Sequence, residues 1–572
     1  MKKLLRFLSG YKKECVIAPL FKMLEAIFEL LVPLIVAQII DVGVRQGDSG
    51  YVFRRSLVMV LFGVIGLSCT LVAQYFAAKA AVGFGSKTRR ALYSHIQSFS
   101  YSEIDTIGTD TLLTRLTGDV NQVQNCVNMT IRLLLRSPFI VFGAMIMAFS
   151  VDSKAAVTFA VVIPILSIIV FGIMLITIPL FKKVQAALDK VLGATRSNLL
   201  GVRVVRAFCR EQSEKAEFEE RNNSLNALSR LAGRISALQS PMTFAVINVA
   251  IVALIYIGAI RVDSGDLTQG QVVALYNYMS QILIELIKLA NLIVTMTKAV
   301  ACGNRVQSVF ETECSMKNGD KSLQKIENIE FKNTAFHYPL SKENSLTDIS
   351  FSAKKGETIG IIGGTGSGKT TLVNLIPRFY DATDGEVLIN GENIEHYDIN
   401  ALRRRISVVP QKASLVSGTI RDNLLWGDKS ASDSRINEAL AVAQALDVVE
   451  SKENGLDSEI EAGGKNLSGG QRQRLTIARA LVRNPDVLVL DDSLSALDYA
   501  TDAKLRAALS QMKSPPLTFV ITQRASSIVH ADKIIVLDDG EAVAQGTHEQ
   551  LLDNCDIYRE IYHTQFEKEA AV

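Results

Sequence analysis

Residues 359–373, IGIIGGTGSGKTTLV, bring together the residue types that handle a phosphate chain. They fit the spacing GxxxxGK[ST], with an apolar β-prone run before the loop and a polar helix start behind it. Gly363, Gly364, Gly366 and Gly368, with Thr365 and Ser367 among them, leave the backbone bare enough to wrap closely round an anion. Lys369 then reaches the outer phosphates, the Thr370 hydroxyl joins a magnesium shell, and Thr371 continues the helix start whose N–H groups point at the anion. Residues 487–492, VLVLDD, read as a buried strand ending in two carboxylates, with Asp491 in the magnesium-organising position and Asp492 next to it. Residues 467–471, LSGGQ, open a helix running through Arg472 and Arg474. There Ser468 and the N–H groups of Gly469 and Gly470, followed by Gln471, form a second anion site. The chemistry these groups suit is binding of ATP with Mg2+ and loss of its terminal phosphate to water.

The elements that must hold them occupy only the second part of the chain. A length of 572 residues exceeds one core, so at least two domains are expected. From about Leu323 strand-like and helix-like segments alternate, which predicts an α/β domain over residues 321–572. Residues 1–320 differ in kind, because the apolar residues crowd there and raise the mean hydropathy above zero although a fifth of the chain is charged. A net charge of +3 is too small to argue for nucleic acid, and no nucleic-acid partner is expected. The seven cysteines, Cys15, Cys69, Cys126, Cys209, Cys302, Cys314 and Cys555, show no paired or metal-ligand spacing and read as reduced or membrane-buried thiols. The N-terminal MKKLLRFLSGYKKE is basic, but the apolar run behind it is long and has no small-residue cleavage site, so it is expected to stay as a transmembrane helix.

Residues 1–320 contain about six apolar stretches of roughly the 20 residues that cross a bilayer, near 15–40, 56–78, 131–150, 155–178, 241–260 and 272–295. Connections after the first, third and fifth are short, and those after the second and fourth are long and polar. Lys2, Lys3, Arg6, Lys12 and Lys13 precede the first span; Lys87, Arg89, Arg90, Lys182 and Lys183 edge the long connections. The positive-inside rule therefore places the N-terminus, both long connections and residues 321–572 in the cytoplasm, of a chain integral to the cytoplasmic membrane and surrounded by its lipid. Glu25 and Glu29 in the first span, Arg132 and Arg136 at the start of the third, and Glu285 and Lys288 in the sixth are costly in lipid. They line a cavity for a transported molecule, for which Glu25, Glu29, Arg132 and Arg136 are the candidates and Glu25 and Glu29, one turn apart on one face, the better ones, or they pair between helices, or they lie where long helices have already left the bilayer.

The long connections carry residues 108–120, GTDTLLTRLTGDV, and 199–211, LLGVRVVRAFCRE. With LSGGQ, the phosphate loop and VLVLDD, they resemble the ATP-binding cassette (ABC) exporters. In that family each loop bears a short transverse helix that docks on a nucleotide-binding domain. The resemblance implies an all-α six-helix transmembrane domain followed by an α/β P-loop, RecA-like cassette with an antiparallel β subdomain. It implies that Tyr338, in FHYP, stacks on adenine and that Gln411, in VVPQK, contacts magnesium and the attacking water. Residues 459–465, EIEAGGK, partly match a loop that meets the docking helices, and residues 495–498, SALD, match one that communicates across a dimer of cassettes. It also implies that LSGGQ caps the γ-phosphate of ATP held by the other cassette.

Two positions depart from the family pattern. Asp492 stands where active members carry a glutamate that orients or deprotonates water, and one methylene withdraws its carboxylate. Gln523, in ITQRASSI, stands at the switch histidine; an amide donates a hydrogen bond but cannot carry the imidazole's charge. Beside an intact LSGGQ these departures resemble the degenerate-site subunit of a heterodimeric multidrug-type exporter, whose partner is a second, non-identical half-transporter that supplies the competent Walker motifs, the counterparts of this chain's phosphate loop and VLVLDD strand. The expected function is ATP-driven efflux of small, amphipathic or drug-like molecules; a lipid flippase, a nucleotide-gated channel and a slow homodimer are the alternatives.

Overall fold

The computed structural model describes residues 2–570 as two compact units. One runs to Gln97 and resumes at Asp110–Thr312; the other takes the short segment Ser98–Thr109 and continues from Glu313.

In the first unit, six helical stretches are long and apolar enough to cross a membrane: Lys3–Val44, Ser49–Ile96, Thr109–Val151, Ser153–Leu200, Glu211–Asp263 and Gln269–Glu311. All extend well past the apolar cores read from the sequence, because their polar ends continue the helices beyond the bilayer. The second span shows how they pack. Leu57, Val60, Leu61, Val64, Leu67 and Leu71 are exposed, whereas Ala73, Ala77, Ala80 and Ala81 are buried. Large apolar side chains suit lipid, and small ones let neighbouring backbones approach. Gly270, at the start of the sixth span, is a close approach of this kind. A Cβ there would lie 2.3 Å from the Ala37 carbonyl oxygen, and its N–H donates to Asp41 at 2.8 Å.

The charges of the spans are brought together on three of them. Arg136 meets Glu285 at 2.6 Å, Glu29 at 2.6 Å and Glu25 at 3.6 Å. Lys22 pairs with Glu25, Lys288 with Glu285, and the Ser137 hydroxyl donates to Glu285 at 2.8 Å. Cations and carboxylates balance within this network, and Arg136 and Glu285 are buried. Arg132 stands apart, its buried Nε having no hydrogen-bond partner among the described residues.

Between the second and third spans the helix Tyr101–Ile107 belongs to the other unit. Ser100 and Glu103 form a capping box at its start, and Gly108, at φ 82°, ends it. The transverse helix therefore precedes residues 108–120, most of which already form the third span. The corresponding helix of the second connection, Val202–Ala207, lies within residues 199–211.

The second unit is built on three sheets. Strands β1 (Asn328–Phe336), β2 (Leu346–Lys354), β4 (Asp384–Ile389) and β5 (Glu392–Asn393) form an antiparallel sheet in the order β2-β1-β4-β5. Strands β3 (Thr358–Gly363), β6 (Ile406–Val409), β9 (Val487–Asp491), β10 (Leu517–Ile521), β11 (Lys533–Asp538) and β12 (Glu541–Gly546) make the main sheet, ordered β12-β11-β3-β10-β9-β6. It is parallel except where β12 returns beside β11. Its central strands are buried throughout, as expected when both faces of a parallel sheet are covered. The strands β7 (Gly418–Thr419) and β8 (Glu459–Ile460) pair antiparallel.

Candidate nucleotide site

The phosphate loop sits where a parallel sheet concentrates ligands, beyond the carboxyl ends of β3 and β9. Parallel pairing of β10 with both strands brings the loop and the two aspartates to one edge. Gly363 ends β3 under pressure from β11: a Cβ there would lie 2.0 Å from the Leu537 carbonyl oxygen. Gly368, at φ 90°, turns the chain into the helix Lys369–Leu375 and would likewise press on the Ser345 carbonyl.

A cleft of about 490 Å³ opens there. Tyr338, Thr365, Gly366, Ser367, Gly368, Lys369, Thr370, Thr371, Gln411, Asp491, Asp492 and Gln523 line it, so the structure gathers residues spread over almost two hundred positions. Gly363 and Gly364 stand behind the loop, their carbonyls accepting from the Lys369 ammonium, which also donates to Ser367 Oγ at 3.2 Å. The Thr370 hydroxyl donates to Asp491 Oδ1 at 3.0 Å, and the Gln411 amide donates to Asp492 Oδ2 at 3.2 Å. Asp492 itself holds a left-handed backbone, φ 45°, which aspartate tolerates better than most residues.

Burial works against the charges of this cleft. Burial pushes the Lys369 pKa down, against the pull of Asp492 and Asp491. Burial pushes the Asp491 pKa up, Asp492 adds to it, and the Thr370 hydrogen bond and Lys369 oppose. The ammonium is thus short of an anion and the carboxylate short of a cation, a double deficit that a phosphate chain with a divalent ion removes. Thr370, Gln411 and Asp491 present the hard oxygen donors that suit magnesium, which takes few protein carboxylates and leaves positions for phosphate and water. Among the described residues no group of three or more His, Cys, Asp or Glu could hold a metal by itself.

Tyr338 is held at the cleft by other aromatic rings. It stands 5.0 Å from Phe336 and 5.4 Å from Tyr380 in near-perpendicular contacts, and its hydroxyl lies 3.0 Å from Thr371 Oγ1. Tyr380 does not line the cleft but supports Tyr338 from behind, and no motif spacing points to it. Its hydroxyl donates to Asp105 at 2.6 Å, and Tyr101 packs 4.6 Å from Phe379, so the short helix Tyr101–Ile107 rests on the turn beside the cleft. Burial and the Asp105 carboxylate both hold the Tyr380 phenol protonated.

LSGGQ lies elsewhere. None of its residues lines the cleft. Ser468 caps the helix Gly469–Val482 through its hydroxyl, which accepts from the Gln471 N–H at 3.2 Å while Gln471 Oε1 accepts from the Ser468 N–H at 2.9 Å. Arg472 donates to the Leu467 and Gly464 carbonyls and holds the turn before the cap. A Cβ on Gly469 would meet nothing within 4 Å, so this end of the helix is free to approach another molecule.

Comparison with known proteins gives a consistent setting. Residues 15–286 match the family described as ABC transporter transmembrane region, and residues 346–495 the family described as ABC transporter. The Bacillus subtilis ABC transporter ATP-binding protein YfiB is 37% identical over the whole of both chains. YgaD of the same organism, named as a multidrug export ATP-binding/permease protein, is 31% identical over 99% of each chain. The ATP-dependent lipid A-core flippase of Syntrophus aciditrophicus is 33% identical over 84% of this chain and 80% of its own. A solved bacterial Atm1-family ABC exporter with ATP bound shares the fold at a TM-score of 0.81 and 22% identity, covering 97% of this chain and 98% of its own.

Proposed function

Because the chain belongs to the ABC transporters, as an exporter half that joins a transmembrane region to an ATP-hydrolysing cassette, we propose that it works in a heterodimer as the half with the slow ATP site. The observation that carries this reading is the contrast between two halves of one cassette. Asp492 and Gln523 stand in the cleft where the family uses glutamate and histidine, while LSGGQ is intact and its Gly469 unobstructed. Two copies of this chain would pair weak carboxylates with sound signatures at both sites. One copy beside a non-identical half-transporter places this LSGGQ on the partner's ATP.

In this reading Lys369, the loop N–H groups and Tyr338 bind ATP, with Thr370, Gln411 and Asp491 holding its magnesium, which offsets charge on the phosphates. Asp492 and Gln523 retain the nucleotide more than they hydrolyse it. Closure of the cassettes drives the spans outward, and hydrolysis at the partner's site resets them. Co-purification through a tag on this chain, followed by native mass spectrometry, tests the assembly: one copy bound to a different half-transporter supports it, and a homodimer that turns over ATP overturns it.

The cargo is proposed to be a small amphipathic molecule, on the strength of the multidrug-type pattern; a relative named as a flippase keeps lipid as the second reading. ATP-dependent uptake of a fluorescent drug-like cation into inside-out vesicles, set against transfer of a fluorescent phospholipid and against ion flux, separates export, flipping and channel gating.

The proposed orientation puts residues 261–270 outside and 182–234 in the cytoplasm of the cytoplasmic membrane. In a cysteine-free background, a cysteine at Ser264 should react with an impermeant thiol reagent on intact cells and one at Ser213 should not. The reverse labelling would sink the topology.

Lys369→Ala should weaken ATP binding at this chain's cleft by roughly ten- to a hundredfold, since a charge-assisted phosphate contact is lost. Photocrosslinking of an azido-ATP to this subunit measures it, and unchanged labelling would remove the phosphate loop from the account.

A further inference from the structure

The switch position is held from behind by the C-terminal helix Asp556–Ala570. Gln565 Nε2 donates to the Gln523 carbonyl at 2.6 Å, and its Oε1 accepts from the Ala525 N–H at 2.8 Å. These two backbone groups bracket the one residue between them. A primary amide is the side chain that offers a donor and an acceptor side by side, so a single group fixes both flanks. Nothing in the phosphate motifs points to this residue.

The clamp has a firm base. Tyr558, fully buried, shares a hydrogen bond with His548 at 2.8 Å, and Ile561 and Tyr562 pack against the core. Gln565 follows Tyr558 by two helical turns on the same face, which turns it toward the cassette. From the other side Arg524 grips residues 495–498, donating to the Ser495 carbonyl at 2.9 Å and the Leu497 carbonyl at 3.3 Å. The backbone of Gln523 is thereby fixed on both sides while its own side chain is exposed in the cleft.

We propose that Gln565 is a positioning residue for the nucleotide site: it sets the backbone at Gln523 so that this amide meets the γ-phosphate of ATP bound in the cleft. The inference rests on the reading of that cleft as the ATP site, and its consequence is selective. In that reading Gln523 meets the terminal phosphate alone, so Gln565 should matter for ATP and not for ADP.

Gln565→Met keeps length and loses both hydrogen bonds. In the full-length assembly in nanodiscs, competition of unlabelled ATP and ADP against azido-ATP labelling of this chain is the measurement. Gln565→Met should weaken ATP about five- to tenfold, leave ADP binding as in the parent, and add nothing in a Gln523→Ala background. Gln565→Glu, which keeps the acceptor for Ala525 but sets a carboxylate against the Gln523 carbonyl, should show the same selectivity, and serves where the methionine variant fails to fold. Equal weakening of ATP and ADP, or no change in either, would overturn the proposal. Lys369→Ala is the separate control: if it too leaves labelling unchanged, the failure lies with the cleft and not with Gln565.

Discussion

Gly469→Asp should lower ATP turnover of the assembled transporter by at least about a hundredfold, while Asp492→Asn should leave most of it. The glycine variant should fold, because a Cβ at this position meets nothing within 4 Å and a carboxylate in the first turn of a helix is favourable. Its damage comes at the dimer. In the proposed assembly the new carboxylate faces the γ-phosphate on the partner's Walker motifs, where charge repulsion and a blocked backbone approach act together. In that same proposed assembly Asp492→Asn removes a carboxylate from the slow site only, because the effective general base would lie on the partner. Steady-state phosphate release at saturating ATP, from heterodimer assembled to the same extent for each variant, makes the comparison. Should Asp492→Asn abolish turnover as completely as Gly469→Asp, this chain would carry a working catalytic carboxylate, and the asymmetric reading would give way to a slow homodimer or two active sites.

Arg136→Met is expected to destabilise the membrane unit by about 3–5 kcal/mol, the range found when one partner is removed from a buried ionic network. Arg136 answers three carboxylates on two other spans, and Lys22 and Lys288 reach only Glu25 and Glu285. Without the guanidinium, Glu29 has no ion-pair partner among the described residues, and buried Glu285 keeps only Lys288 and Ser137. The melting temperature in nanodiscs should fall by at least about 6 °C, and less for Arg136→Lys, which keeps the charge but not the two-pronged geometry. A variant melting within about 1 °C of the parent would show that water already solvates these carboxylates. Glu25 and Glu29 would then stand as the lining of an aqueous cavity rather than as ties between helices.

That the glycine-rich loop would end a strand, open a helix and line a cleft was legible because a phosphate loop is local. Residues 363–371 need only a strand before them and a helix after them, and glycine spacing reports both. The six spans were legible for a similar reason, since bilayer thickness sets a minimum apolar length that composition alone displays. Their polar extensions were not, because helix beyond the bilayer carries no such length signal.

Other features depend on neighbours remote in the chain. Glu25 and Arg136 read equally well as cavity lining or as a pair until the spans were packed side by side, since periodicity places a charge on a face without saying what that face meets. The first transverse helix was displaced from residues 108–120 because its start lies in the Ser100–Glu103 capping box, a signal weaker than the family-like stretch behind it. Asp105 with Tyr380, and Gln565 with Gln523 and Ala525, carry no spacing at all: they meet across 275 and about forty residues. Sequence alone therefore determined the chemistry and the membrane, which rest on local backbone geometry and summed hydrophobicity. Tertiary structure alone decided which charges neutralise one another, what the short helix rests on and what holds the backbone on either side of Arg524, because each depends on hydrogen bonds and ion pairs that exist only once distant segments are packed together.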